Sequence, residues 1–214
     1  MLQTRMLLQM QFEHSVEKME SREMEGGIER KAGREDYAIV LDFLTHGYPF
    51  EGRSGQMSMP IAQALGKEHF VLLELVPKKE IGLQPNEEVY IGEGKRDKVH
   101  HINGRLSPSR LTSTAKAEME FIVTELVKKN EKKYVDFFNN AQPLSTRMHS
   151  IELIPGMGKK RMWEILEERK VKPFESFADF KKRVKLLPDP EKAIVKRILA
   201  EILTEQKHYL FVER

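Results

Sequence analysis

The chain contains no cysteine. That removes disulfides, thiolate-held zinc and cysteine nucleophiles from consideration. It has no run of 18 apolar residues, so no bilayer-spanning helix is expected. The first residues, MLQTRMLLQMQFEHSVEKMESREMEGG, lack a small-residue cleavage site and do not read as a signal peptide. Catalytic signatures are missing too. There is no serine elbow, no His-x-x-x-His, and no clustered set of carboxylates. GEGK (92–95) lacks the remainder of a phosphate-binding Walker loop. A cytoplasmic, non-catalytic protein with no cofactor and no metal is expected.

The 214 residues, 40% of them hydrophobic, suffice for one large or two small domains. The net charge is only +3, but it is unevenly spread. From Lys128 onward 20 Lys/Arg face 13 Asp/Glu, a surplus of +7; the preceding residues hold 16 against 20, a deficit of −4. A basic C-terminal half suits a polyanionic partner, although a solvated helical surface would give the same count.

Residues 1–34 read as a flexible or partly helical leader, rich in Met and Glu, and Met24 is an alternative start. Residues 35–110 read as mostly β. YAIVLDF (37–43), HFVLLELV (69–76), EEVYIG (87–92) and KVHHINGRL (98–106) are strand-like runs separated by Gly- and Pro-rich turns. Four or five short strands in that length make a small barrel or a strongly bent sheet, an OB-like barrel being one option. Residues 111–142 read as connecting helices. In LTSTAKAEMEFIVTELVKK (111–129), Ala115, Met119, Ile122, Val123 and Leu126 share one apolar stripe, and Thr112, Ser113 or Thr114 can cap it. A shorter helix is expected over 131–140.

Residues 143–207 read as all helical, with 208–214 as a tail. They carry a repeat at an offset of 33: LIPGMGKKRMWEIL (153–166) lies over LLPDPEKAIVKRIL (186–199). Each copy precedes an amphipathic helix, so two helical hairpins packed together would bury both apolar faces. The fold class is therefore α+β.

In the first copy Pro155 ends an apolar run that reads as a helix. Gly156 and Gly158 allow positive φ and leave no Cβ in the way of an approaching group. The next helix opens at Lys159, Lys160 and Arg161, with free N–H groups and the positive end of its dipole turned to the turn. A phosphate can be held there without any reading of base identity. Gly156, Met157, Gly158, Lys159, Lys160 and Arg161 are the candidate contacts. In the second copy Asp189 and Glu191 would repel phosphate, so that copy reads as structural.

A second candidate lies in 90–119. Lys95, Arg96, Lys98, Arg105 and Arg110 stand against one acid, Asp97, with Gly92, Gly94 and Gly104 between them. A basic loop on a small barrel can grip a single strand. An ordinary charged hairpin would have the same composition. His100 and His101 do not read as a metal site, because neighbours on a strand point to opposite faces. Trp163, Phe174, Phe177 and Phe180 read as core rather than as stacking platforms.

LIPGMGKK resembles the helix-hairpin-helix motif, whose hydrophobic-Pro-Gly-x-Gly core contacts nucleic-acid phosphates. Together with VYIGEGKRDKV and LTSTAKAE, it makes residues 35–203 similar to the archaeal proteins grouped as domain of unknown function six-five-five, described as predicted RNA-binding. The resemblance implies an OB-like domain before a helix-hairpin-helix region, and RNA rather than DNA as ligand. Helix-hairpin-helix glycosylases need a catalytic Asp in a Gly/Pro-rich loop. Asp179 sits in a helix start and Asp189 in the second hairpin, so neither has that setting. The expected function is nucleic-acid binding. The alternative is a protein-interaction module of a ribosomal or repair assembly.

Overall fold

The computed structural model describes residues 35–48, 59–185 and 188–213. The leader assigned to residues 1–34 lies outside them. The fold is mixed α and β: a curled five-stranded antiparallel half-barrel, a two-stranded ribbon and, among the described residues, five α-helices. The strands of the half-barrel are β1 (Tyr37–Leu44), β2 (Ile61–Gly66), β3 (Leu72–Pro77), β4 (Glu88–Tyr90) and β5 (Val99–Arg105). Their order is β4-β1-β2-β3-β5, which leaves β4 and β5 as the two edges. The register shifts between Val40 and Asp42 of β1 and twice along β5, and such breaks let a sheet curl.

The inner face buries Ala38, Val40, Ala64, Leu73, Leu75 and Val89. β2 was not among the expected strands. IAQALG is rich in Ala and lacks the β-branched run that marks a strand, yet all six residues are buried. Its polar member, Gln63, is fully satisfied. Its Nε2 donates to the Arg110 carbonyl (2.8 Å) and to Tyr48 Oη (3.1 Å), and its Oε1 accepts from Thr112 N (3.0 Å).

Thr112 is also the cap of α1 (Ser113–Lys129). Its Oγ1 accepts from Ala115 N at 3.0 Å and donates to Asp42 Oδ2 at 2.6 Å. Glu74 of β3 completes this polar layer, accepting from Tyr48 Oη at 2.9 Å and from Asn103 Nδ2.

The chain divides into two compact units. Of the described residues, 35–126 and 198–213 form one, and 127–197 the other. The second contains α2 (Glu131–Asn140), β6 (Pro143–Ser145), β7 (Met148–His149), a 3-10 turn (Ser150–Leu153), α3 (Lys159–Val171), α4 (Phe177–Arg183) and most of α5 (Pro190–Leu203). The all-helical expectation for 143–207 is corrected here. The β6–β7 ribbon and one 3-10 turn stand where the first helix of the first hairpin was expected. His149 and Glu152 form a capping box that starts the turn, and Pro155 follows two residues after its end, so only a single turn fits. Phe174, Phe177 and Phe180 are core. Phe180 packs against Phe138 and Phe174, both with ring centroids 4.6 Å away.

In the other unit, one carboxylate folds residues 210–212 back onto the end of α5. Buried Glu201 accepts from the backbone N–H groups of Leu210 (2.8 Å), Phe211 (2.9 Å) and Val212 (3.0 Å).

Candidate nucleic-acid interface

The turn before α3 is a tight reversal. Met157 N donates to the Ile154 carbonyl at 3.0 Å, with Pro155 and Gly156 between them and Gly156 at φ 82°. Pro followed by a positive-φ glycine is the pattern of a type II turn. A Cβ on Gly156 would lie 2.6 Å from Pro188 Cγ, so the turn of the second repeat already fills the space beside it. Gly156 therefore serves backbone conformation and close packing while staying exposed on the turn. Met157 is a correction. It is completely buried and anchors the turn to the core.

Gly156, Gly158, Lys159 and Lys160 remain as surface. Gly158 is the N-cap of α3, at φ −66° and ψ 177°, and a Cβ there would meet nothing within 4 Å. A glycine supplies no side-chain acceptor, and among the described residues none takes the N–H groups of Lys159 and Lys160. Both lysines are exposed. Arg161 is spent elsewhere: its Nη1 reaches Glu164 Oε2 at 2.8 Å and the Lys185 carbonyl at 3.4 Å.

The second repeat differs at the equivalent place. Asp189 Oδ1 accepts from Glu191 N (3.1 Å) and Lys192 N (3.4 Å), while its Oδ2 pairs with Lys181 Nζ at 2.6 Å. Burial works against the Asp189 charge, but these partners outweigh it and hold the carboxyl below its ordinary value. The α5 N-terminus thus carries its own anion, whereas that of α3 carries none.

Asp179 is likewise structural. It accepts from Glu175 N at 3.2 Å and from Arg183 Nη1 at 3.3 Å, which keeps its pKa low. Arg183 also gathers the Glu168, Lys172 and Pro173 carbonyls at the end of α3.

In the half-barrel the five expected cations divide. Lys95 and Arg105 are exposed and, among the described residues, in no ion pair. Arg96 is half-buried, and its Nε donates to the Gly92 carbonyl at 2.9 Å. Lys98 pairs with Glu87. Arg110 stacks on the Tyr48 ring, 4.3 Å from its centroid, and lies 3.6 Å from Glu74. Lys98 and Arg110 are thus paired, though both stay exposed.

Gly92 and Gly94 let the loop close over Tyr90, since Cβ atoms there would lie 2.5 and 3.0 Å from Tyr90 Oη. They do not keep the backbone open, as had been expected. The opposite-face expectation for His100 and His101 is corrected. Their Nδ1 atoms are 2.7 Å apart, because the strand register breaks beside them between Val76 and Pro77. Among the described residues no three His, Asp or Glu side chains are placed to hold a metal.

Sequence reasoning missed Tyr37 and Tyr90, which meet edge to face at 5.3 Å with Tyr37 43% exposed. The signal was the alternation in YAIV and EVYI, which puts both tyrosines on the outer face.

The family described as protein of unknown function (DUF655) matches residues 34–213. The uncharacterized protein MJ0038 of Methanocaldococcus jannaschii is 44% identical over 181 residues, which is 84% of this chain and 80% of that one. The crystal structure of Af1531 from Archaeoglobus fulgidus, described as family-model DUF655, superposes with a TM-score of 0.75 at 48% identity. It covers 83% of this chain and 99% of that one.

Proposed function

The chain belongs to the DUF655 family, and from that premise we propose that it is a non-catalytic nucleic-acid-binding protein that grips the sugar–phosphate backbone. The observation that carries this is the contrast between two repeated helix starts: α5 is capped by Asp189, whereas α3 opens with a bare glycine and two exposed lysines. Free N–H groups, a positive dipole end and ammonium groups together favour a phosphate at that point. Pro155, Gly156 and Gly158 act as a helix-hairpin-helix turn whose first helix is reduced to one 3-10 turn.

We read the half-barrel as OB-like. Its order, with β4 and β5 at the edges, is that of a five-stranded OB barrel left open along one seam, and such barrels bind strands with the β4–β5 loop. Here that loop carries Lys95 and Arg96, and Arg105 follows on β5. RNA is the ligand class proposed first. Asp179, Asp189 and Glu74 each have structural partners in the fold, so none is assigned a catalytic role.

Binding of the purified chain to single-stranded RNA, duplex RNA, single-stranded DNA and duplex DNA across a salt series tests the proposal. Affinity falling by roughly one log unit per log unit of salt for each phosphate contacted, with RNA preferred, supports it. Flat or absent binding to all four removes it and favours a protein partner.

A further inference from the structure

The open seam of the half-barrel holds a cleft of about 150 Å³. Its walls are Val71, Leu73, Ile91 and Ile102, and its remaining lining is Glu35, Arg96 and Arg105. The strand register explains the arrangement. Arg105 stands opposite Leu73, on the inner face of β5, and Ile102 opposite Leu75. Ile91 ends the β4 edge, and Arg96 belongs to the loop joining the two edges. The cleft is therefore apolar inside and cationic at its mouth.

Two arginines outnumber the single glutamate of the cleft. The two oxygens of Glu35 accept from His69 N at 2.8 Å and from Glu68 N at 2.9 Å, which commits that carboxylate to the β2–β3 turn. Among the described residues neither Arg96 nor Arg105 pairs with an acid, and Arg96 is steadied by the Gly92 carbonyl.

Two larger cavities lack this combination. One of about 310 Å³ in the same unit also has Arg105 in its wall, but its other charged side chains are Glu201 and Glu213, which repel an anion. One of about 390 Å³ beside α3 contains Arg161 and Arg183, both held by glutamates and carbonyls.

Room for about five waters, at ~30 Å³ each, matches the bulk of one small ring system. Guanidinium groups at the rim of an apolar slot hold phosphate by paired N–H donors. We infer that the seam cleft takes the unpaired base of one nucleotide, whose phosphate is held by Arg96 and Arg105. This rests on the nucleic-acid reading above and narrows it: the half-barrel takes a single-stranded or end nucleotide, while the α3 turn holds backbone without regard to pairing.

The test uses the full chain with labelled methyl groups, titrated with each of the four ribonucleoside 5′-monophosphates and with inorganic phosphate. The methyls of Val71, Leu73, Ile91 and Ile102 shift with at least one mononucleotide and not with inorganic phosphate. Arg105→Ala, at an exposed position that leaves the core intact, weakens that binding at least tenfold, and Arg105→Lys recovers part of it.

If no mononucleotide moves these methyls while a single-stranded RNA still binds with steep salt dependence, the cleft assignment fails and the backbone reading stands. If inorganic phosphate alone produces the same shifts at the same concentrations, the site is an anion site and the assignment also fails. If mononucleotides move the methyls but no strand binds, the cleft assignment stands and the backbone reading fails.

Discussion

Pro188 Cγ lies 2.6 Å from the point where a Cβ on Gly156 would stand. The two repeat turns thus touch each other, one through a glycine that has no side chain to give way. Gly156 also needs φ 82°, which an L side chain adopts only with strain. Two costs therefore coincide at one position. Gly156→Ala is expected to lower stability by about 2 kcal/mol, read as a shifted urea midpoint. Gly158→Ala, with open space and ordinary φ, should change it by less than about 1 kcal/mol. Equal effects would mean that the turns do not pack as described.

His149 sets a pH dependence. Burial, with the nearby Arg169 charge, pulls its pKa down to about 4 from 6.5. Between those values the unfolded chain binds a proton that the folded one refuses, so stability falls as pH drops through that window. The loss reaches about 3 kcal/mol near pH 4. Urea unfolding from pH 7 to pH 4.5 checks it. His149→Asn keeps an acceptor for Ile151 N while removing the titration, and should flatten the pH profile.

Glu201 holds three backbone N–H groups of the C-terminal segment. Glu201→Ala should lower the hydrogen-exchange protection of Leu210, Phe211 and Val212 by about tenfold or more, while the half-barrel amides stay protected. Unchanged protection would show that the segment is held by other contacts.

Lys159 and Lys160 are the free cations at the α3 start. Lys159→Ala with Lys160→Ala should lower the salt slope of RNA binding by about one or two units without altering the unfolding curve. An unchanged slope would take this turn out of the interface.

Much of this architecture was readable in advance, and the failures have local causes. The stripe from Ala115 to Leu126 marked α1, and 131–140 was placed residue for residue. HFVLLELV reads as one strand, but Phe70 takes φ 57° and the strand starts at Leu72. IAQALG carries little β signal because alanine dominates it, and the partners that satisfy Gln63, Thr112 and Arg110, are distant in sequence.

At the site, composition located the cations but not their partners. The i,i+3 spacing of Arg161 and Glu164 is legible in KKRMWEIL, but the further tie of Arg161 to the Lys185 carbonyl is not. The spacing of Gly156 and Gly158 was legible; that one faces Pro188 and the other faces open space was not.

The central claim is that the uncapped α3 start holds phosphate, and Gly158→Asp tests it most directly. An aspartate N-cap satisfies the free N–H groups and complements the helix dipole, so the fold should be unharmed or stabilised by about 1 kcal/mol. The same carboxylate puts a negative charge where phosphate would sit. The measurement is single-stranded RNA binding across a salt series for the wild type and Gly158→Asp, with thermal unfolding of both. The account predicts that binding is lost in a variant at least as stable as the wild type. Retained affinity with an unchanged salt slope in that folded variant would contradict it.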